Sequence, residues 1–587
     1  LVFSLVSAQN RIESTSLVDS IITEKMAKNI RLNGMRCLTE LFKIIGDGFD
    51  WNDYLSLIYD NLLNPRMDTF ADENLQQPSA MLKLISFWIG QSNTLPFLYI
   101  DEFAATRAIL SLLSKSSEAK EAVTITVLDF TINALERKDN EIDEKYFTLL
   151  AFVVDSLLQY LPQTIEMIYN KDVGSRAIKV LLLLISGKYI EDHDTKSSLI
   201  KSLTIALEKN NNQIDLDDKA NILVSLSSLI DEYDCEFHEI QPLYEICSKL
   251  LKMFAARNVR ETLVVVINTL GNKFKQIEPI VPIIAGLNAY SDRMSEYDFE
   301  KRLEAYRLVN EELYKELTPI QWLPLLYCAL FFINDCDELA IRVNAGYMLK
   351  RFVDCYSSKE EPKEYIRLLK DIVLPNLKIG IRKDNEDVQT EYILVLEHII
   401  EHSKYYTDLD DMRVLVGNTR NAATDDDDDE DGEDNFFQSI NHIQLHRRQK
   451  VIRKLRDYKD DLKDNSISHY ILPIIEGYVT TKEDKLRNIG LEALETIGVL
   501  LKSVTWNQYK AIVKRYIANL NKAQDTLKQR VNLIVAVSSA LAQSVKENNT
   551  NLPDQQELDQ FVLYEISPPL LKILQVRDDE TIVARAP

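Results

Sequence analysis

His398, Glu401 and His402 spell H-x-x-E-H, the spacing with which two imidazoles one helical turn apart can share a zinc ion beside a carboxylate base. An enzyme built on that pair needs a third ligand and a substrate-binding domain around the helix, and the surrounding sequence offers no strand to build one. The run Asp387 to His402 reads instead as one helix of a repeat, its histidines near the end where a helix favours positive charge. Neither a G-x-x-x-x-G-K-S/T phosphate loop nor a G-x-S-x-G nucleophile elbow occurs in the chain. The six cysteines form no C-x-x-C pair, and each lies in or beside an apolar stretch. They read as small buried hydrophobes in a reducing compartment, not as a disulfide frame or a zinc ribbon. The expectation is a non-enzymatic chain with no catalytic residue, no metal and no cofactor.

A second kind of chemistry is visible further on. Phe436 to Arg456 holds no acid, in a chain with 91 acids against 68 Lys and Arg. It carries Arg447, Arg448, Lys450, Arg453, Lys454 and Arg456, with His442 and His446 nearby. Phe437, Ile440, Ile443, Val451, Leu455, Tyr458 and Leu462 recur at helical spacing, so residues 436–463 read as an amphipathic helix with one docked edge and a broad cationic face. Arg447, Lys450 and Lys454 share that face at i, i+3 and i+7. Such a cluster suits a polyanion, and an arginine-rich helix suits RNA in particular. A solvated face, an acidic protein partner and a nuclear import signal are the competing readings. Directly upstream, Asp425 to Asp434 packs nine acids into ten residues, a self-repelling stretch expected to be a disordered, solvated loop. Beside that plain reading, the functional one is a lure for basic proteins or an internal competitor for RNA, and the run could fold back onto the basic segment.

The elements that would carry these groups are helices. Gly and Pro number only 15 and 16 among 587 residues, too few for the frequent turns of a sandwich, barrel or propeller. Tyr146, Leu149, Leu150, Val153, Val154, Leu157, Leu158 and Leu161 show the helical spacing that runs through most of the chain. Thr318-Pro319-Ile320-Gln321 and Thr505-Trp506-Asn507-Gln508 have the hydroxyl and Gln of a capping box, and Asp50-Trp51-Asn52-Asp53 is a weaker relative. The longest unbroken apolar run, Leu325 to Ile333, is far short of the ~20 residues a membrane span needs. The opening residues, Leu1-Val2-Phe3, give no signal peptide, and the sequence reads as an internal piece of a longer protein.

Several helices open with an acid, then a basic residue, then small or aliphatic residues. Arg176 and Arg260 lie 84 residues apart, Arg260 and Arg302 lie 42, Arg302 and Arg342 lie 40, and Arg487 and Arg530 lie 43. A period of about 40–47 with two helices per unit is that of HEAT and armadillo repeats. The fold class expected is therefore all-α, an α-solenoid of helical hairpins whose neighbours bury one another's apolar faces. Each ladder arginine is expected to bond an Asp of the adjacent repeat. Gln389 occupies the slot after Arg342, and the long gap from there to Arg487 leaves room for one further repeat plus the insertion. The organisation expected is a HEAT-like array over 1–417, an acidic loop over 418–435, a basic helix over 436–463 and further repeats over 464–587.

Phe436-Phe437, His442-Ile443-Gln444, His446-Arg447-Arg448 and Arg453-Lys454-Leu455, after an acidic run and before the Trp506 to Tyr509 helix, resemble one known signature. It is that of the large small-subunit-processome proteins associated with the U3 small nucleolar RNA, the U3 small nucleolar RNA-associated protein 20 or down-regulated-in-metastasis family. The specific likeness covers about 425–516; the rest agrees in being HEAT-like. The resemblance implies a very large non-enzymatic scaffold of the nucleolus, within the particle that folds and cleaves precursor rRNA. It implies pre-rRNA or U3 RNA and other processome proteins as partners, and neither a membrane nor a small-molecule substrate. An importin-β-type transport receptor, also an acidic HEAT array, is the alternative.

Overall fold

In a computed structural model the described residues are 17–45, 48–115, 119–137, 144–166, 170–209, 213–291, 296–417, 435–481, 483–520, 526–547 and 552–576. Among them the chain is all-α, with one isolated bridge between Tyr290 and Tyr297 and no named strand. It divides into two compact units, Leu1–Val281 and Pro282–Pro587. No helix among the described residues is long and apolar enough to cross a membrane.

The main helices of the first unit are α1 (Leu17–Ile45), α2 (Ala80–Trp88), α3 (Pro96–Ser111), α4 (Glu121–Glu136), α5 (Glu144–Glu166), α6 (Lys171–Ser186), α7 (His193–Lys209), α8 (Leu216–Asp231), α9 (Phe237–Met253) and α10 (Arg257–Lys273). From α4 onward they alternate between two rows: α4, α6, α8 and α10 stack on one another, as do α5, α7 and α9. The amphipathic spacing dictates this. In α6, Val173, Ala177, Ile178, Leu181 and Leu184 are fully buried, one stripe against each neighbour. Asn170 starts that helix by accepting from the amides of Asp172 and Val173.

In the second unit the helices used below are α11 (Phe299–Arg307), α12 (Pro319–Phe332), α13 (Leu339–Ser357), α14 (Leu374–Gly380), α15 (Glu386–His402), α16 (Phe436–Ser439), α17 (Leu445–Lys454), α18 (Leu472–Thr480), α19 (Arg487–Leu500), α20 (Trp506–Asn519) and α21 (Leu527–Lys546). Here α13 stacks on α15, and α17, α19 and α21 stack in turn. Thr318 forms the full capping box with Gln321 at the start of α12, whereas Thr505, before α20, makes no side-chain cap. Asp50 accepts from the amide of Asn52 at 3.0 Å, opening only a short 3-10 turn.

The period is written in the contacts between repeats. Ser175 bonds Asp218, 43 residues on, and Ser227 bonds Thr269, 42 on. His398 bonds Asp354 and Thr496 bonds the Ile452 carbonyl, each pair 44 apart. Equivalent positions of successive hairpins thus face one another, as a solenoid requires.

The arginines of the repeat signature keep their spacing but only partly their expected partner. Arg176 reaches Asp129 at 2.6 Å and Arg342 reaches Asp387 at 3.4 Å. Arg260, wholly buried, instead donates to the carbonyls of Leu251 and Phe254, each at 2.7 Å. Those carbonyls end α9 without helical amides, so the guanidinium closes its own hairpin. Arg342 does the same to the Asp335 carbonyl at 2.8 Å, and Gln389 to that of Ile381 at 2.8 Å. Arg302 lies between the rings of Tyr297 and Phe332, 4.2 Å from each centroid. Arg530 turns to the Thr526 hydroxyl, and Arg487 is exposed.

Candidate nucleic-acid interface

The basic segment is not one helix. Asn435 caps the four-residue α16 by accepting from the amides of Phe437 and Gln438. The chain then turns at 441–444, where the amide of Gln444 bonds the His442 imidazole at 3.1 Å, and α17 follows. A side-chain bond of that kind offers the backbone an alternative to the helical ladder. Past Lys454 the chain turns again through 455–462. The break swings Ile443, which the apolar stripe placed on the docked edge, out to 92% exposure. Phe437, Ile440, Val451 and Leu455 do form the buried edge.

The six cations separate into three sets. Arg448 is buried: its Nε donates to the His442 carbonyl at 2.6 Å, Nη2 to that of Asn441 at 3.2 Å, and Nη1 pairs with Glu386 at 2.6 Å. Reaching carbonyls six and seven residues upstream is what Arg342 does to Cys336 and Asp335. Arg448 is therefore the hairpin-closing arginine of the repeat between Gln389 and Arg487. Its guanidinium is committed inside the array, where the sequence pattern places it on an RNA-facing surface.

Arg453 and Arg456 join α17 to α19. Arg453 holds both carboxylate oxygens of Glu492, at 3.1 and 2.8 Å, and Arg456 reaches the same carboxylate at 2.5 Å. Arg456 also bonds the Thr496 hydroxyl at 3.0 Å and pairs with Glu495 at 3.2 Å, and Gln449 donates to Glu492 at 3.1 Å. The hydrogen bond from Arg453, aided by Gln449 and the charge of Arg456, lowers Glu492 to about 2 against the opposing effect of burial. Arg447 is exposed, while Lys450 and Lys454 are partly exposed. With the exposed part of Arg453, these three carry the outward cationic character of α17. The acidic run 425–434 lies outside the described residues.

The zinc-like motif resolves into a different constellation. His398 Nε2 lies 2.7 Å from Asp354, which also takes Arg351 at 2.9 Å, and the rings of His398 and His402 stack with centroids 4.1 Å apart. Among the described residues no group of three or more His, Cys, Asp or Glu is placed to hold a metal ion. The Arg351 guanidinium sits over Tyr314 and Tyr347, at 4.5 and 4.6 Å from the ring centroids, so this network is another seam between repeats.

Sequence reasoning missed the acceptors that consume these cations. Glu492 and Glu386 stand in ordinary charged helices, and nothing local distinguishes them. Arg448, however, precedes Arg487 by 39 residues, a repeat length that marks it as a ladder residue.

Stacked hairpins tied by arginines to carbonyls and inter-repeat carboxylates, with a basic helix set into the stack, define a helical-repeat protein. The chain belongs to the U3 small nucleolar RNA-associated protein 20 family: the model of that protein's N-terminal region matches residues 1–385. Among curated relatives, U3 small nucleolar RNA-associated protein 20 of Saccharomyces cerevisiae is 36% identical over 601 residues, and that of Schizosaccharomyces pombe 25% identical over 632. Each alignment covers 100% of this chain and 24% of the relative, so the chain spans about a quarter of their length. The family model ends upstream of 425–516, where the sequence resemblance is read, while both relatives align across that segment too. Solved structures with similarity include importin beta (10% identity, TM-score 0.27, covering 100% of this chain and 75% of that one). Another is a mutant of Kap121p (14% identity, TM-score 0.22, covering 99% and 55%).

Proposed function

We propose that this chain is one section of a non-enzymatic scaffold of the nucleolar small-subunit processome, the 90S pre-ribosome. It holds pre-rRNA and assembly factors in place while small-subunit rRNA is processed. The observation that carries the reading is alignment of the entire chain with proteins named for association with the U3 small nucleolar RNA. The architecture supports it. A run of stacked hairpins offers long ridges and edges for several partners at once. The Arg447, Lys450 and Lys454 side of α17 is the RNA contact in this reading, with salt-sensitive, sequence-independent affinity.

The test is recovery of RNA with the tagged full-length parent protein from nucleolar extract. Enrichment of U3 RNA and small-subunit rRNA precursors is expected. Reversal of Arg447, Lys450 and Lys454 to Glu should weaken crosslinking of this section to RNA. Absence of those RNAs from the purified material refutes the reading, and capture of a GTP-locked small GTPase in their place favours a transport receptor.

A further inference from the structure

The second unit contains a cleft of about 900 Å³ that adjoins the basic segment through Glu386 and Tyr478, both partners of Arg448. Its walls come from the end of α14, the face of α18, the end of α20 and the start of α21, and include Arg382, Lys383, Glu476, Arg515, Tyr516 and Arg530. Lys378 and His469 are not among the lining residues but feel the charge of Arg382; the Lys378 amine lies 5.5 Å from the Tyr470 ring centroid.

The lining holds four cations and four carboxylates, but they do not pair with one another one to one. Of the lining carboxylates, Glu476 is held by Arg515 and by the Tyr516 hydroxyl at 2.5 Å. Glu386 is held by Arg448 and Glu483 by Lys485. Asp384 remains, and it is exposed. Arg382 finds only the Lys378 carbonyl, at 2.8 Å, and Arg530 only the Thr526 hydroxyl; neither these two nor Lys383 has a carboxylate within ion-pair distance among the described residues. Burial and the charge of Arg382 push the Lys378 amine below its ordinary range. Burial, then Lys378, Arg382 and Arg515 together, push His469 the same way. Arg382, Lys383 and Arg530 thus stand along one concave surface without an ion-paired carboxylate among the described residues, in a chain of net charge −23. Like charges so placed cost stability unless an anion covers them.

We propose that this cleft is a second, phosphate-directed RNA site, in which Arg382, Lys383 and Arg530 take the backbone of a single-stranded segment. Planar guanidinium forks match phosphate oxygens. On the uncharged wall Asn519 can meet a ribose hydroxyl, while Gln389, Thr480 and Thr481 already bond the Ile381 carbonyl, the Glu476 carbonyl and the Glu483 amide. The proposal deepens the scaffold reading and rests on it for the choice of RNA over an acidic peptide.

The experiment is direct binding of the purified chain to a fluorescent oligouridylate across a salt series, comparing the parent with R382E/K383E and the milder R382A/K383A. Both residues are exposed at the turn after α14, so circular dichroism should be unchanged. Removing two phosphate contacts should weaken binding at least tenfold for the reversal and lower the salt slope by about 1.4, at ~0.7 per contact on a single strand. Parent-like affinity and slope in both variants overturn the proposal, as does a parent chain that ignores oligouridylate. Tight binding of polyglutamate with no RNA affinity overturns it in favour of an acidic protein. Recovery of U3 RNA with the parent protein is a separate measurement, so the scaffold reading survives or fails independently.

Discussion

Glu492 is the acceptor that most of the basic helix converges on, and neutralising it without changing its shape isolates that role. In Glu492→Gln the side chain keeps its place but loses the charge that binds Arg453 and Arg456. A carboxyl lowered from 4.5 to about 2 stabilises the folded state by about 3 kcal/mol at neutral pH, at ~1.4 kcal/mol per tenfold change in proton affinity. The Arg453 side chain is 62% exposed, so water screens part of this, and about 2 kcal/mol is the working figure. The sign follows from the lowered value. The stabilisation is complete above the unfolded carboxyl's range and is lost as pH falls toward 2; by pH 3 roughly 40% remains. Hydrogen exchange read by mass spectrometry on peptides of α17 and α19 follows this seam without requiring the long chain to unfold in one step. At pH 7, protection in the variant should drop about 30-fold, the equivalent of ~2 kcal/mol. At pH 3 the gap to the parent chain should shrink to a few-fold. Equal protection at pH 7, or a gap unchanged at pH 3, refutes the assignment of Glu492 as the charged tie between these helices.

Arg448→Met should leave the Asn441 and His442 carbonyls without their donor and Glu386 without its cation, costing about 1–3 kcal/mol; hydrogen exchange across 436–454 should rise. Gly490→Ala should destabilise the α18–α19 contact by ~1–3 kcal/mol, because a methyl there meets the Tyr478 carbonyl oxygen at 2.6 Å and backbone must move; a lowered melting temperature checks it. Zinc should leave the melting temperature of the chain unchanged and be absent in stoichiometric amount by elemental analysis, since His398 is already engaged by Asp354.

The helical class was legible because burial leaves a periodic trace: a stripe such as Tyr146, Leu149, Val153 and Leu157 must face a core, and all four are buried. The repeat length was legible for a related reason, since one hairpin packs on the next through equivalent positions. Partner choice was not. An arginine at the right spacing can take an Asp, a carbonyl or a pair of rings, and Arg176, Arg260 and Arg302 take one of each. The decision rests on where a neighbouring helix ends, which no local pattern states. The length of the basic helix failed in the same way, because the Gln444 amide bond to His442 and the Arg448 bonds to two carbonyls replace helical bonds that composition alone would allow.

Counting cations in a repeat protein therefore says little until the array's own needs are subtracted. A hairpin stack ends helices at every turn and leaves carbonyls there, and buried donors must answer them. Arginine meets that demand because its fork reaches several carbonyls while remaining charged. In the basic segment Arg448 closes a hairpin and Arg453 and Arg456 bind repeats together, so three of its six cations serve the array itself. At the α14–α18 cleft the subtraction runs the other way: Arg382, Lys383 and Arg530 have no ion-paired carboxylate among the described residues. The most clustered arginines in the sequence are thus substantially structural, and the scattered ones are brought together by the fold. A search for anion sites in such arrays gains most from unpaired guanidinium groups on adjacent hairpin turns, and comparing the salt slopes of the α17 and cleft variants measures which of the two surfaces contributes more phosphate contacts.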